Sequence, residues 1–477
     1  MPRHWSQRAD DRKVVRDEGA ADAAANQRGR SDGGIAQLVE HHAGSVRVRS
    51  SSLLASTTFA RGRLGILTAI LGAALALRLA LVVLLRHRLT HDVRIFISWA
   101  HLLMQYGSHG LYAHVDTIDG YPVNYPPGYS LILGAVTVAY RALVAAPREN
   151  DVLLGMLLKA PAVAADLVLC VLAYWIVRRW FGVRAALWAA AIAALSPATW
   201  PISAVWGQVD SLCAMFMVLA LACSLGRRHT WAWIALALAV LIKPLPIVVA
   251  PLLLAAQLRD ERRWWMLTVG PAAGVVVAYG ASLAFAPTVA PIGVARWLAE
   301  RYIAGQSLTT QTSVNAYNLW TLLGPPVSDT VRAFGVPLHV WGWAAFGALG
   351  AAVLIVYVRL GRAHSDRPRW ERLTTRAWFI VLAGAFCSIT RMHERYILFA
   401  LALVPLVWFC GKIERRAALT LLAAFVICVI LVLGFYEHHV FAELSAATRL
   451  LSLVNLVALG ALVFSFFRAR PHMVNET

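Results

Sequence analysis

The sequence predicts an all-α polytopic membrane protein, and three properties of the chain support that class. Of its 477 residues, 59% are hydrophobic and only 14% are charged, and the mean hydropathy is +0.62, far from the balance of a soluble domain. Apolar runs recur along the chain at the length that crosses a bilayer, about 20 residues. Because backbone groups in lipid must hydrogen-bond within their own segment, we expect each run to be a helix.

These runs predict a bundle of about 10–12 transmembrane helices. The candidate spans lie at 64–85, 152–177, 183–203, 211–226, 266–286, 335–360, 376–390, 397–411, 417–435 and 450–467. Two further apolar segments, 129–146 and 231–258, are ambiguous. The positive-inside rule places basic clusters such as Arg178 and Arg179 in the cytoplasm. That placement favours a helix against the outer leaflet for 129–146.

Segment 231–258 contains "KPLP" at 243–246 and has basic residues on both sides. Proline in a helix interior removes a hydrogen bond and breaks the helix. We therefore expect a broken or re-entrant pair of short helices here. With both ambiguous segments assigned in this way, both termini are cytoplasmic.

Net charge and cysteine usage exclude other classes. The formal charge of +19 comes from short basic clusters between apolar runs, which set membrane topology and do not indicate nucleic-acid binding. The six cysteines lie in or beside apolar runs without CxxC spacing. They predict small core residues, with neither a disulfide framework nor a metal site.

The first sixty residues are polar and basic and contain no apolar run. They are either disordered or an extension that results from an early start codon, because "GGIAQLVEHHAGSVRVRSSSLLAST" (33–57) resembles a translated transfer-RNA gene. The predicted organisation is then an extension at 1–60, a catalytic module at 61–286 with its first external loop at 86–151, an external loop at 287–334, and C-terminal transmembrane helices at 335–477.

The remaining polar motifs fall on the predicted external side of the membrane. They are "THDVR" (90–94), "NYPPGY" (124–129), "WGQVDS" (206–211), "SVNAYNLW" (313–320), "RMHERY" (391–396) and "YEHH" (436–439). Ionisable groups are costly near a bilayer, so their gathering at one face predicts a site there.

Asp92 stands at the outer mouth of the first helix. Taken alone it reads as a loop carboxylate paired with Arg94. Phe96 and Trp99 follow at helical spacing, however, and would hold the carboxylate near the membrane surface beside a cavity. A carboxylate in that setting suits general-base catalysis.

"WGQVDS" follows a Pro-rich breaker and opens the next helix. Asp210 has the simple alternative of capping that helix, whereas Trp206 and Gln208 suit stacking on a sugar and hydrogen bonding to it. In "NYPPGY" the double proline starts a helix, and Tyr125 is a further candidate for lining the site.

"RMHERY" is the densest charged cluster of the chain, with Arg391, His393, Glu394 and Arg395 between two apolar runs. An interfacial ion-pair knot is the simple reading, and binding of an anionic group such as a lipid phosphate is the functional one. Lys243 has two open alternatives, which are to snorkel outward or to reach the same phosphate.

The order of these motifs resembles the GT-C superfamily of polyprenyl-phosphate-sugar-dependent glycosyltransferases. The chain is most similar to the branch that contains dolichyl-phosphate-glucose glucosyltransferases and bacterial mannosyltransferase-like relatives. The resemblance implies a GT-C-like bundle and an inverting transfer of a mannose- or glucose-type hexose from a polyprenyl-phosphate carrier. It also implies a lipid-linked or cell-envelope glycan acceptor, with Asp92 as the base. The sequence lacks a DxD motif, so the expected transfer is metal-independent and needs no cofactor.

The predicted site has three groups of residues. Asp92 is the predicted catalytic base. The predicted contacts to the donor phosphate are Arg391, His393, Arg395 and Lys243. The predicted substrate-binding residues are His91, Arg94, Tyr125, Trp206, Gln208, Asp210, Asn315, Asn318, Glu394 and Tyr396.

A polytopic transporter or lipid flippase is the rival interpretation, since broken helices and intramembrane charges also mark such proteins. Transporters usually show internal repeats and charges near the bilayer midplane. In this sequence we find no repeat, and the charges gather at one predicted face.

Removing residues 1–60 should leave membrane insertion and activity intact, because this segment has no apolar face to pack. A chain that starts at Arg61 and the full chain should show equal yield in the membrane fraction and equal turnover. Loss of the folded protein on truncation would contradict this prediction.

Overall fold

The computed structural model describes residues 64–115, 122–146, 150–261, 263–307, 309–363, 366–435 and 445–469. Helices supply almost all the regular structure of these residues. The predicted extension 1–60 and the motif "YEHH" (436–439) lie outside the described residues. In chain order the α-helices are α1 Leu64–Leu84, α2 His91–Gly110, α3 Pro127–Leu143, α4 Asp151–Leu195, α5 Asp210–Leu225, α6 His229–Val240, α7 Ala250–Asp260, α8 Met266–Leu283, α9 Pro291–Ser307, α10 Leu319–Leu323, α11 Leu338–Ala363, α12 Arg367–Ser388, α13 Leu398–Leu401, α14 Val404–Val407, α15 Lys412–Phe435 and α16 Ser445–Phe467.

Six of the described helices, α1, α4, α8, α11, α15 and α16, are long and apolar enough to cross a membrane. The longest, α4, has 45 residues, and a straight helix of that length would measure roughly 67 Å. It kinks at Gly182, whose φ of +77° is non-helical. The first arm corresponds to the predicted run 152–177, whereas the second covers only 183–195 of the predicted run 183–203, which ends in the π-helical turn Pro201–Trp206. The prediction of an all-α polytopic membrane protein is confirmed.

Helix starts follow local chemistry in the first external loop. Thr90 caps α2, and its hydroxyl accepts the Val93 N–H at 3.4 Å. Helix α3 begins at Pro127, directly after Pro126, where a missing N–H costs nothing. The double proline of "NYPPGY" therefore starts a helix, as predicted.

Proline also decides where apolar segments break. The predicted break in 231–258 is present, because α6 ends at Val240 and a 3₁₀ turn, Leu245–Val249, precedes α7. The predicted continuous span 397–411 is wrong. A 3₁₀ turn at Glu394–Ile397 leads into the short helices α13 and α14, and α14 has a proline in its first turn.

Other predicted boundaries shift by smaller amounts. Helix α12 starts at Arg367, ahead of the predicted residue 376, because the Asp366 carboxylate caps it by accepting the Arg369 N–H at 3.3 Å. Several predicted spans are also shorter than a bilayer crossing in the structure, such as α5 with 16 residues. The number of membrane crossings stays a prediction, and so does the division of the chain into modules at residues 286 and 334.

A fully buried ion pair joins α1 to α4. Arg78 Nε lies 2.7 Å from Asp166 Oδ2, and neither side chain is exposed. The Ser203 hydroxyl donates to the same carboxylate oxygen at 2.7 Å. Ser203 belongs to a single π-helical turn, Pro201–Trp206. A buried charge without its partner is strongly destabilising, so this pair fixes the turn that ends in Trp206.

Short strands connect the predicted external loop 287–334 to the segment after α12. Strand β1 (Ser313–Val314) pairs in parallel with β4 (Met392–His393), with Val314 opposite His393. Strands β2 (Arg332–Ala333) and β3 (Val336–Pro337) form an antiparallel pair before α11. The β1–β4 pair brings "RMHERY" beside the loop that follows α9.

A cysteine-accessibility scan should place His109 and Gln306 outside and Arg178 and Arg369 inside, because the basic clusters orient the bundle. Single-cysteine variants in a cysteine-free background would be labelled in intact cells with a membrane-impermeant maleimide. Labelling at position 178 in intact cells would contradict this orientation.

Candidate active site

A cavity of about 360 Å³ opens between α2, α9 and the segment after α12. The side chains that line it include one carboxylate, several cations and an aromatic wall. The polar and charged residues among them are Asp92, Asn124, Tyr125, Lys243, Arg301, Tyr302, Gln306, Thr309, Arg391, His393, Arg395 and Tyr396. Seven residues of the predicted site therefore line one cavity: Asp92, Tyr125, Lys243, Arg391, His393, Arg395 and Tyr396.

Asp92 is half-buried at the second position of α2. The Trp206 indole N–H donates to Asp92 Oδ2 at 2.6 Å. Burial raises the pKa of this carboxyl, but the charge of Arg395, the nearby amide of Gln208 and the hydrogen bond from Trp206 outweigh burial and lower the pKa below its ordinary value. The group is therefore a carboxylate at neutral pH.

Neither neighbour of Asp92 in its motif shares the cavity. Arg94 is exposed and forms no ion pair with Asp92 in the described structure, so the simple reading of Asp92 as its partner is wrong. His91 is exposed as well. The structure does not bring these two predicted substrate-binding residues to the cavity, because successive positions of α2 point in different directions.

Trp206 reaches Asp92 because a tight turn follows the π-helical turn. Gly207 has a φ of +80°, and a side chain there would collide with Val93 of α2. Only glycine accepts both conditions without strain. The turn therefore seats Trp206 and Gln208 directly against the start of α2.

Asp210 lies behind the cavity wall, and its side chain is fully buried. Lys243 Nζ lies 2.7 Å from Asp210 Oδ1, and Arg395 Nε lies 3.6 Å from Asp210 Oδ2. Asp210 is thus an ion-pair centre, whereas a substrate contact was predicted. Lys243 is only 4% exposed, so it does not snorkel to the membrane surface.

Glu394 is a second buried partner of Arg395. Arg395 Nη1 donates to Glu394 Oε1 at 2.8 Å, and burial raises the pKa of Glu394 while Arg395 opposes that shift. Glu394 does not line the cavity. Its effect on the site is to hold Arg395, which differs from the predicted contact with substrate.

Aromatic rings form one wall of the site. The Tyr125 ring lies 5.7 Å from the Phe96 ring and 5.3 Å from the Trp99 ring. Lys243 Nζ stands 5.3 Å from the Tyr125 ring centre and 5.2 Å from that of Tyr396. Cations held against ring faces gain attraction and keep a defined position. This wall therefore combines aromatic ring surfaces with the positive charge of Lys243.

Gln208 ties the aromatic wall to the ionic cluster. The Tyr125 hydroxyl donates to Gln208 Oε1 at 3.2 Å, and Lys243 Nζ lies 3.5 Å from the same oxygen. Gln208 is buried and does not itself line the cavity. It therefore orients groups of the site.

Arg391 and His393 were predicted as two cationic contacts to a phosphate, but in the structure Arg391 is already ion-paired and His393 is neutral. Arg391 forms a two-point ion pair with Asp329, with Nε 2.6 Å and Nη2 3.0 Å from the carboxylate oxygens, and its Nη1 donates to the Gln306 carbonyl at 2.8 Å. Burial and the charges of Arg395 and Lys243 lower the pKa of His393 well below 6.5. His393 is therefore a neutral hydrogen-bonding group.

The two predicted asparagines lie away from the cavity lining. Asn318 is fully buried and caps α10, since its Oδ1 accepts the N–H groups of Trp320 and Thr321. Asn315 has a φ of +57°, and its carbonyl accepts the Cys428 thiol at 3.6 Å. The structure assigns both a role in local folding, which differs from the predicted substrate contact.

The central part of the chain matches a known family of glycosyltransferases. The model of glycosyltransferase family 87 matches residues 125–388, more than half of the chain. The chain belongs to glycosyltransferase family 87. The matched range contains the "WGQVDS" turn, Lys243 and Arg301, whereas Asp92 and "RMHERY" lie outside it. The predicted resemblance to the GT-C glycosyltransferases is confirmed, and the protein is a multi-pass membrane glycosyltransferase.

Two solved structures are similar to this family 87 glycosyltransferase. Both are ArnT from Cupriavidus metallidurans. The one bound to undecaprenyl phosphate is 17% identical with a TM-score of 0.43, and the match covers 83% of this chain and 77% of that chain. The apo state is 16% identical with a TM-score of 0.38, with coverages of 77% and 71%. No curated protein matches the chain.

Asp329, Asn124 and Arg301 belong to the site but were not predicted from the sequence. Asp329, which holds Arg391, lies in an ordinary loop sequence. Asn124 belongs to "NYPPGY", and its buried Oδ1 has no hydrogen-bond partner in the structure. Arg301 lies in α9 within "ARWLAERY", where it reads as a surface residue. Only the Asn124 motif offered a signal, since its neighbour Tyr125 was predicted.

The pH dependence of kcat/KM should show no limb between about pH 5 and pH 8 from Asp92 or His393. The pKa of Asp92 is lowered from 3.8, so its carboxylate persists as pH falls, and the base form is lost only below that value. The pKa of His393 is lowered from 6.5, so its ring stays neutral. An acidic limb above about pH 5 that vanishes in His393→Gln would contradict this assignment.

Proposed function

We propose that this glycosyltransferase transfers a mannose- or glucose-type hexose from a polyprenyl-phosphate carrier to a lipid-linked or cell-envelope glycan, with inversion and without a metal ion. The site faces the external or periplasmic side of the membrane, and both termini are cytoplasmic. One observation carries the proposal. The Asp92 carboxylate, held by the Trp206 indole at 2.6 Å, faces a cavity that cationic side chains also line.

Asp92 is suited to accept the proton of the attacking hydroxyl. Its lowered pKa keeps it ionised, and its place in the cavity lining lets an acceptor hydroxyl approach it. As the acceptor oxygen forms its bond to the anomeric carbon, the proton passes to Asp92, and the bond from that carbon to the phosphate oxygen breaks with its electron pair staying on the phosphate.

The leaving phosphate requires positive charge and no protonation, because it is already an anion. Lys243, Arg391 and Arg395 place three cations on the cavity wall. Fixed charges in a site shielded from water stabilise developing negative charge strongly. His393 adds a neutral donor. Their combined positive field can stabilise the leaving group, which is the role a divalent ion plays in metal-dependent transferases.

The sugar itself would meet the aromatic wall and the uncharged polar groups. Tyr125 and Tyr396 line the cavity and offer ring surfaces to an apolar sugar face, and Asn124, which also lines it, offers an uncharged polar side chain to a sugar hydroxyl. A few placed polar groups in a mostly apolar pocket fix ligand orientation. This composition suits a neutral hexose.

The setting of the cavity supports a lipid-linked donor. Helix α9 contributes Arg301, Tyr302 and Gly305 to the cavity, while Ile292 and Ile303 on the same helix are 86% and 67% exposed. Exposed apolar side chains at the edge of a membrane protein suit contact with the membrane surface. A headgroup in the cavity would therefore have an apolar tail path beside it.

Asp92→Asn should lower turnover by about 10²–10⁴-fold while folding and donor binding persist, because the amide keeps the shape but does not accept the proton. Arg94→Ala is the matched control, since Arg94 is exposed on the same helix. Its turnover should stay near that of the wild type. Turnover is measured in detergent with polyprenyl-phospho-mannose and -glucose as donors, an envelope glycolipid extract as acceptor, and EDTA present.

Near-normal turnover of Asp92→Asn, with an unchanged melting temperature, would remove Asp92 as the base. Loss of wild-type turnover in EDTA would overturn the metal-free form of the mechanism. Movement of the intact donor across a proteoliposome membrane, without sugar transfer, would favour the rival flippase interpretation.

A further inference from the structure

Four cations line the cavity among the described residues, and three of them are already paired. Lys243 is paired with Asp210, Arg391 with Asp329, and Arg395 with Glu394. The fourth, Arg301, forms no ion pair and no side-chain hydrogen bond with the part of the chain that the structure describes. Its Nε is buried and has no partner.

Arg301 is nevertheless held in place. Its guanidinium carbon lies 5.8 Å from the Tyr112 ring centre and 5.9 Å from that of Trp297. Tyr112 is fixed in turn, because its hydroxyl donates to the Tyr125 carbonyl at 2.9 Å. Helix α9 also fits closely against the opposite wall, since a side chain at Gly305 would lie 2.7 Å from the Asn124 carbonyl oxygen.

An ordered, partly buried guanidinium without an anion is costly unless a ligand supplies one. Its planar donors match a phosphate at two points, as an ammonium group does not. The aromatic rings orient the group but leave its N–H donors unused. Arg301 therefore has the chemistry of a phosphate contact that the protein itself does not satisfy.

The direction of the reaction separates Arg301 from the other cations. In an inverting transfer the attacking oxygen and the leaving oxygen stand on opposite faces of the sugar ring. Arg395 stands 5.4 Å from the ring of Trp206, the residue that donates to Asp92, and it shares Asp210 with Lys243. Arg395 and Lys243 therefore belong to the side of the cavity that holds Asp92, from which the acceptor attacks. The leaving phosphate needs a cation elsewhere in the same cavity.

We propose that Arg301 binds the phosphate of the lipid-linked donor, on the face of the sugar away from Asp92. This inference rests on the proposed function and names the residue that contacts the donor phosphate directly. Arg301 makes the direct contact to the phosphate, and the paired cations Lys243, Arg391 and Arg395 contribute their field and hold the site.

The test compares binding of undecaprenyl phosphate and undecaprenol to the full chain in detergent by native mass spectrometry. The variants are Arg301→Gln, Arg301→Lys and, as matched control, Arg296→Gln. Arg296 lies on the same helix but is 82% exposed, and it pairs with Glu300. Undecaprenol has the same tail without the phosphate, so the ratio of the two affinities isolates the phosphate contact.

Arg301→Gln should raise the Kd for undecaprenyl phosphate by about 10- to 150-fold, the range of hydrogen bonds to a charged group, and leave the Kd for undecaprenol within about twofold. Arg301→Lys should restore part of the preference. Arg296→Gln should match the wild type. The melting temperature of lipid-free Arg301→Gln should stay near that of the wild type, because Arg301 forms no ion pair or hydrogen bond with the described residues and loses only its contacts with the Tyr112 and Trp297 rings.

Two outcomes separate this inference from the proposed function. A wild type without preference for the phosphate over the alcohol would refute the polyprenyl-phosphate carrier. A wild type with that preference, retained in Arg301→Gln, would refute the role of Arg301 alone. If Arg301→Gln does not fold, an undiminished phosphate preference in Arg301→Lys, together with a lowered lipid-free melting temperature, would mean that an internal anion pairs with Arg301.

Discussion

A charge buried in a membrane bundle needs a partner, and Asp210 is the partner on which this site depends. Its side chain is fully buried, and it stands between Lys243 and Arg395 at 2.7 and 3.6 Å. Removing one member of such a cluster leaves an uncompensated charge in a medium that cannot solvate it. The carboxylate therefore keeps two cations at the cavity wall, where they also lower the pKa of Asp92.

A second buried ion pair connects the site to the packing of the first helices. Arg78 and Asp166 join α1 to α4, and Ser203 links their carboxylate to the π-helical turn that ends in Trp206. Trp206 in turn donates to Asp92. The position of the candidate base is thus connected through hydrogen bonds to an ion pair that no solvent reaches, and the packing of the first helices and the chemistry of the site are not independent.

Much of the candidate site could be predicted because its motifs are short and chemically unusual in an apolar chain. Asp92, Trp206, Gln208, Lys243 and Arg395 were all identified from sequence, and the structure brings them together in one cluster through pairwise contacts. What sequence did not distinguish was contact with the cavity from support behind it. Asp210 and Glu394 are supports, and Asn318 is a helix cap. Each has a local sequence that suits either role.

The sequence by itself determined the helical membrane class and the main helix breaks, because hydropathy and proline act within a few residues of where they occur. It also determined which ionisable side chains lie at or near the bilayer, where their energetic cost marks them as functional candidates. Only the tertiary structure decided the partners. Asp329 meets Arg391 across 62 positions of chain, and Arg301 lies in an ordinary helix yet lines the cavity with no anionic partner among the described residues. Electrostatic pairing depends on distance in space, and no local pattern encodes that distance.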